Sequence, residues 1–236
     1  MNIDEEGVEN YLKTLNPICL QFEPEGKNTT PDFLLDNKIA IEARRLNKNY
    51  FNGDIVSSKE NLEQPIFDYI NTLIRSFDKS DYTNSVYIDI IFSEPKTIRQ
   101  SSYLKNIKMD LNKVFKEHAL KVDIAQEYEI SDFLKISFEP TSKKDTLYRH
   151  PSLSSPFFWV VSEYRRNIQH SIDEKAEKIG AKFDNYQEWW LVLVDHIFYG
   201  MSDEDYHQIK SSGFNKKKFS KIIVISLNER HNVYEF

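Results

Sequence analysis

The residues best suited to chemistry lie in the stretch TPDFLLDNKIAIEARR, residues 30–45. In a strand, side chains alternate between the two faces, so a strand over the second half of this stretch makes Glu42 and Arg44 neighbours on one face. The turn dipeptide Asp36-Asn37 joins that strand to the apolar run that follows Asp32, as in a β-hairpin. A hairpin brings Asp32 close to the far end of the next strand. Two carboxylates and a cation therefore converge at one end of the hairpin.

Two interpretations of this convergence stay open. Charged side chains in an otherwise apolar strand are costly to bury unless they have partners. In the structural interpretation, Glu42 and Arg44 form an ion pair or Asp32 caps a turn. In the functional interpretation, the three side chains form a site for a charged ligand.

The hydrophobic pattern predicts the elements that position these residues. The expected elements are helices at about 4–16, 59–77, 96–121, 164–183 and 203–211, and strands at 18–22, 32–35, 38–46, 86–92, 133–138, 156–161, 189–194 and 221–227, with 233–236 beside the last. We see no repeat and no low-complexity linker. The pattern predicts one α/β domain over residues 1–236, in which helices flank a mixed central β-sheet.

The chain resembles the PD-(D/E)xK nuclease superfamily, which has the restriction-endonuclease-like fold. Its signature is Pro-Asp, a gap of hairpin length, then an acid, any residue and lysine, and Pro31-Asp32 and Glu42-Ala43-Arg44 occupy those places. The order helix, three strands, helix, strand over residues 4–93 also resembles the superfamily core. The resemblance implies a motif-bearing core over about 1–95, with 96–236 as C-terminal elaboration or the rest of the sheet. The helix and strand at 164–183 and 189–194 are an alternative last pair of the core.

The resemblance implies a divalent cation, Mg²⁺ or Mn²⁺, held by Asp32, Glu42 and the backbone carbonyl of Ala43. Oxygen ligands suit such hard cations. The implied reaction is hydrolysis of phosphodiester bonds, and the implied partner is nucleic acid, DNA in preference to RNA. A carboxylate on the first helix often assists in this superfamily, and Glu9, or alternatively Glu5, is the candidate here.

Arg44 stands where the superfamily usually has lysine. A guanidinium stays protonated, so Arg44 can orient a phosphate and stabilise developing charge but cannot act as a base. Some members of the superfamily supply the lysine from a nearby helix, and Lys175, Lys178 and Lys182 form one stripe of a predicted helix. The alternative for this stripe is a solvated basic helix face. A second functional hypothesis is a catalytically inactive member of the fold that binds nucleic acid or a protein.

Composition limits the classes of function. The chain has 236 residues, a formal net charge of -6 and six glycines. None of the glycines forms a GxGxxG or GxxxxGK(S/T) motif, which argues against a P-loop ATPase or a dinucleotide-binding dehydrogenase. The lone Cys19 has apolar neighbours and suggests a buried thiol in a reducing compartment. No apolar run approaches the length of a membrane helix, so we expect a cytoplasmic protein without a membrane partner. A homodimer stays open.

Several weaker candidates for functional residues also have a purely structural explanation. Gln64 is a possible site residue or a helix position, and Asp195-His196 follows a strand, where a structural hydrogen bond is the alternative to an auxiliary catalytic role. The aromatic clusters 157–159 and Trp189-Trp190 suggest a small-molecule site or a core. The lysines of 105–116 could extend a phosphate-binding surface.

Overall fold

The computed structural model describes residues 1–27, 29–52, 55–77, 86–93, 102–118, 123–141, 147–150, 160–197, 201–227 and 232–236. The helices are α1 (Ile3–Thr14), α2 (Lys59–Ser76), α3 (Ser102–His118), α4 (Val160–Ile179) and α5 (Asp203–Ser212), and a 3-10 helix, Gly180–Asn185, follows α4. The strands are β1 (Leu20–Phe22), β2 (Phe33–Leu35), β3 (Ile39–Leu46), β4 (Asn49–Asn52), β5 (Ile55–Ser58), β6 (Val86–Phe92), β7 (Gln126–Glu129), β8 (Leu134–Pro140), β9 (Leu147–His150), β10 (Glu188–Asp195), β11 (Lys221–Ile225) and β12 (Val233–Glu235).

The chain forms two compact units. One comprises residues 1–48 and 157–236, and the other comprises residues 49–156. In the first unit, described strands form a mixed sheet in the order β1-β2-β3-β10-β11-β12. Strands β3, β10 and β11 are parallel, whereas β1, β2 and β12 pair antiparallel to their neighbours. The predicted α/β class, with helices flanking a mixed sheet, is confirmed.

The helix and strand that follow β3 in this unit are α4 and β10. Strand β10 pairs with β3 along its whole length, from Glu188 opposite Ile39 to Asp195 opposite Leu46, and α4 packs on β3. Strand β6 lies in a different sheet, with β8 and β9. Strand 86–92, the expected last strand of the core, therefore lies outside this sheet, and the fourth strand of the sheet comes from the alternative pair at 164–183 and 189–194.

The burial patterns explain this outcome. Every residue of β10 from Trp189 to Val194 is buried, as a central parallel strand with both faces covered requires. In β6, Val86, Ile88 and Ile90 are buried and their neighbours are not, which suits a strand with one covered face. The two tryptophans at the start of β10 belong to the core, whereas residues 157–159 of the other aromatic cluster lie outside the described residues.

The two faces of the main sheet have different covers. Helix α1 begins after Asn2, which caps it through hydrogen bonds from the Asp4 and Glu5 amides, and it packs its Val8 and Leu12 side chains into a cluster with Ile41. The opposite face, which includes Ala40 and Leu46, packs on buried residues of α4. Because side chains alternate along β3, Glu42 lies on the α4 face.

The second unit packs α2 and α3 over the sheet β7-β8-β6-β9. Of the predicted helix 96–121, residues 96–101 and 119–121 lie outside the described residues. The predicted strand at 156–161 is wrong in its described part, because Val160 and Val161 form the first turn of α4. Two apolar β-branched residues suggest a strand, but here they pack against the main core from a helix.

Two smaller expectations can be compared with the structure. The thiol of Cys19 is half-buried rather than part of the core, because β1, which follows it, is an edge strand of the sheet. No described helix is both long and apolar enough to cross a membrane.

Candidate active site

The β2–β3 hairpin places Asp32 and Glu42 side by side. Phe33 pairs with Ile41 in the antiparallel ladder, and continuing that register by one residue places Asp32 opposite Glu42. The Asp32 Oδ2 accepts a hydrogen bond from the Ala43 N–H at 2.7 Å. The sequence predicted this convergence, and the short turn between the two strands produces it.

Glu42 is a buried carboxylate with one satisfied and one unsatisfied oxygen. Its side chain is 1% exposed. The Oε1 atom accepts a hydrogen bond from Lys175 Nζ at 2.6 Å, and Lys178 Nζ lies 3.9 Å from the same atom. The Oε2 atom is buried without a hydrogen-bond partner. Because no hydrogen bond compensates for the desolvation of this carboxylate oxygen, the position favours a ligand that binds to the carboxylate.

The cation beside Glu42 comes from helix α4. The Lys175 side chain is only 13% exposed, so the interpretation of this lysine as part of a solvated helix face is wrong. The Lys178 side chain, one turn further along α4, is 61% exposed. Helix α4, which packs on β3, thus brings Lys175 into contact with the buried Glu42 carboxylate.

Arg44 makes a different pair from the one that the structural interpretation predicted. Its two terminal nitrogens donate to the two oxygens of Glu174, at 2.6 and 2.7 Å, rather than pairing with Glu42. This bidentate bond lowers the pKa of Glu174. His170 Nε2 lies 3.4 Å from the same carboxylate, and burial together with the positive charge of Arg44 lowers the pKa of His170. The guanidinium is therefore held in one orientation on the face that carries Glu42.

The pKa of Asp32 is raised from 3.8 to about 6. Burial is the largest cause, and the negative charge of Glu42 is the second. The hydrogen bond from Ala43 and the charges of Lys175 and Lys178 act in the opposite direction without cancelling the rise. Two carboxylates in a partly desolvated site repel each other, and a divalent cation between them would relieve this repulsion.

The donor set fits a hard divalent cation. Asp32 and Glu42 contribute carboxylate oxygens, and one of them, Glu42 Oε2, has no partner. The N–H of Ala43 points toward Asp32, and in an extended strand the carbonyl of the same residue points to the same side. No group of three or more His, Cys, Asp or Glu side chains suited to a metal occurs within the described parts of the chain. A cation here would thus need water or a substrate oxygen as further ligands.

Glu9 lies on the helix that covers the other face of the sheet. Helix α1 packs on the face opposite to Glu42, and the Glu9 carboxylate forms an ion pair with Lys13 at 2.8 Å. The alternative Glu5 accepts a hydrogen bond from the Asn2 amide at 2.7 Å and completes the cap of α1. Assistance by Glu9 stays a prediction.

Two weaker candidates have structural contacts. Gln64 lies on α2 of the second unit and donates to Asp68, one turn along the helix, at 2.9 Å. The His196 ring contacts the Asp4 carboxylate through Nε2 at 2.8 Å. Asp195 accepts from the Tyr164 hydroxyl at 2.5 Å and burial raises its pKa. The structural interpretation of the Asp195-His196 pair agrees with these contacts.

Sequence reasoning missed Glu174, and it missed the contacts through which Lys182, a member of the predicted basic stripe, supports the site from a distance along the chain. Glu174 orients Arg44 from a position 130 residues away. Lys182, which follows α4, donates to the Thr30 carbonyl and to the Glu25 carboxylate, each at 3.2 Å, and thereby holds the loop that leads to Asp32. No short-range pattern indicates these pairs. The only available signal for Glu174 is its place beside Lys175 on one helix.

No protein-family model, curated protein or solved structure matches this chain. The functional argument therefore depends on the arrangement of the residues described above.

Proposed function

We propose that this chain is a metal-dependent nuclease-like protein that hydrolyses phosphodiester bonds in nucleic acid, DNA in preference to RNA. The observation that carries the proposal is the buried Glu42 carboxylate, whose Oε2 atom has no partner while Lys175 binds its Oε1 atom and Asp32 stands opposite. In a structural ion pair, both oxygens of a buried carboxylate normally have hydrogen-bond partners. A carboxylate that binds a metal needs an oxygen that is available to the cation.

The topology supports the proposal. Without residues 49–156, the first unit begins with α1, β1, β2, β3, α4 and β10, and these four strands are neighbours in one sheet. This is the order of helix, three strands, helix and strand in the superfamily that the motif resembles. The positions of Asp32, directly before the second strand, and Glu42, on the third strand, also agree with that motif.

The cation would be Mg²⁺ or Mn²⁺, held by the carboxylates of Asp32 and Glu42 and the carbonyl of Ala43. When bound, it would polarise the scissile phosphate and lower the pKa of an attacking water. The raised pKa of Asp32 means that this carboxylate must lose its proton before it binds the cation.

Lys175 takes the place of the missing motif lysine. An ammonium has three N–H donors, and the bond to Glu42 uses one of them. The others can donate to a water or to a phosphate oxygen and stabilise the charge that develops there. Arg44, held by Glu174, supplies a second fixed cation on the same face and contributes orientation and charge but no proton transfer.

Cleavage of supercoiled plasmid DNA with Mg²⁺ or Mn²⁺ tests the proposal. We expect Asp32→Asn and Glu42→Gln to abolish cleavage and the heat of metal binding in calorimetry. Lys175→Gln should keep the metal heat but lower the cleavage rate about a hundredfold or more, because a donor to the transition state is lost. Glu177→Gln, an exposed position on the same helix, is the matched control. Cleavage by purified Glu42→Gln protein at the wild-type rate would refute the assignment.

A catalytically inactive module of the same fold is the second candidate. The ion pair between Lys175 and Glu42 favours it, because this contact satisfies part of the buried charge without a metal. For such a module we expect no cleavage and no metal heat, together with a loss of stability in Glu42→Gln. Nucleic-acid binding in the presence of EDTA would then be its measurable activity.

A further inference from the structure

A groove lies between α2 and α3 in the unit of residues 49–156. It encloses about 480 Å³ and is lined by Tyr69, Leu104, Lys105, Lys108, Met109 and Asn112. All of these residues belong to one compact unit, separate from the one that carries Asp32 and Glu42. The groove is therefore a second candidate binding site in the molecule.

The charge of the lining is positive. Lys105 is exposed and Lys108 is half-buried, and none of the described side chains that line the groove is acidic. The Lys108 Nζ atom lies 5.3 Å from the centre of the Tyr69 ring, a cation–π distance that keeps the ammonium over the ring. The protein as a whole has a net charge of -6, so a groove whose described lining carries two lysines and no carboxylate differs from the rest of the molecule and favours an anion.

The groove also has an apolar part. Met109 is 62% exposed, and the partly buried Leu104 and Tyr69 pack against the core of this unit. An exposed, polarisable methionine beside an aromatic ring suits a flat apolar group. The Asn112 side chain adds an amide that can both donate and accept hydrogen bonds.

We propose that this groove binds single-stranded nucleic acid. Two lysines at a spacing of three residues on one helix face would contact the phosphates, while the exposed Met109 would receive a base and Asn112 would contact its edge. The choice of nucleic acid as the anion rests on the proposed function. The groove adds to it a substrate-holding role for the unit that lacks the metal motif.

Anisotropy of a fluorescein-labelled oligothymidylate, measured with the full chain in EDTA, tests the groove without cleavage. Lys105→Glu/Lys108→Glu is compared with Lys113→Glu/Lys116→Glu, which makes the same charge change on α3 outside the groove. The groove variant should lower the slope of log K against log salt by about 0.7 for each phosphate contact, or about 1.4 in all. The control variant should leave the slope nearly unchanged. An equal decrease of the slope in the two variants would overturn the proposal, because it would indicate diffuse electrostatic attraction to the whole surface of α3.

A base-contact variant keeps the test independent of charge and of folding. Met109→Ser removes exposed apolar surface, so it should weaken binding of oligothymidylate several-fold and leave binding of an abasic oligonucleotide unchanged. Equal affinity for oligothymidylate and polyglutamate would overturn the proposal in favour of an acidic protein partner. Lys105→Glu alone changes an exposed residue and serves if the double variant unfolds.

The two proposals fail differently. Asp32→Asn and Glu42→Gln should retain oligothymidylate binding in EDTA, and the groove variants should retain the heat of Mg²⁺ or Mn²⁺ binding. If the wild-type chain binds oligothymidylate at the groove but shows neither cleavage nor heat of metal binding, the nuclease proposal alone is refuted. If the protein cleaves with a metal ion but the groove variants bind oligothymidylate as tightly as the wild type, only the groove proposal is refuted.

Discussion

Replacing Asp32 with Asn should make the metal-free protein more stable above neutral pH. The pKa of this carboxyl rises from 3.8 to about 6 on folding, because of burial and the charge of Glu42. At about 1.4 kcal/mol per pKa unit, the ionised group destabilises the folded chain by about 3 kcal/mol. An Asn side chain removes the charge, and its carbonyl oxygen can still accept the hydrogen bond from Ala43.

The sign of the pH dependence follows from proton binding. Between about pH 4 and pH 6 the folded state holds the Asp32 proton more tightly than the unfolded state, so this group makes stability fall as the pH rises through that window. The Asn variant lacks this contribution. Its advantage over the wild type should be small at pH 4, should grow up to about pH 6 and should be constant at about 3 kcal/mol above pH 7.

Urea denaturation in EDTA, from pH 4 to pH 8 at constant ionic strength, measures the difference. Asp184→Asn, which changes an exposed carboxylate paired with Lys218, controls for net charge. In a parallel series without EDTA, Mg²⁺ at about a hundred times its dissociation constant should stabilise the wild type by about 2.7 kcal/mol and should not stabilise the Asp32→Asn variant. A variant that is no more stable at pH 8, or a difference that is flat with pH, would refute the account of a strained acid pair.

Three further predictions concern the same site. Glu42→Gln should lower the free energy of unfolding by about 3–5 kcal/mol, because it removes the charged partner of Lys175. Adding Lys175→Met should recover most of this loss, and a double-mutant cycle by urea denaturation checks the two effects. Glu174→Gln should change the free energy of unfolding by no more than about 1 kcal/mol, since the pair with Arg44 is partly exposed, yet raise the KM for DNA cleavage because the guanidinium loses its orientation; an unchanged KM would exclude that role. Calorimetric Mn²⁺ affinity should fall as the pH drops below about 6, where Asp32 is protonated, and an affinity that is constant from pH 5 to pH 8 would contradict Asp32 as a ligand.

The local part of the site was predictable from the sequence. The hairpin depends on a short turn over residues 36–38. Both Asp36 and Asn37 adopt positive φ angles there, which these residue types tolerate. The alternation along β3 then determines that Glu42 faces away from Ile41. These are short-range rules, and they place the two carboxylates correctly.

The long-range part of the fold and of the site was harder to predict from the sequence. Two helix-strand pairs fit the core pattern, and the choice between them depends on pairing across more than a hundred residues. One signal was present: the continuous apolar run Trp189–Val194 is typical of a central parallel strand, whereas Val86–Phe92 alternates. The bidentate bond from Arg44 to Glu174 had no such signal, because it depends on how α4 lies on β3.

Stability alone does not explain the residue at position 42. On the α4 face of β3, the adjacent Ala40 and, beyond Arg44, Leu46 belong to an apolar cluster, and an apolar side chain at position 42 would extend it. Instead the chain buries a carboxylate, satisfies one of its oxygens with Lys175 and leaves the other without a partner. Opposite it lies an acid whose pKa is raised by the same burial. Each of these features costs free energy in the metal-free protein. Local departures of this kind concentrate at functional sites, and a cation shared by the two carboxylates would turn both costs into binding energy.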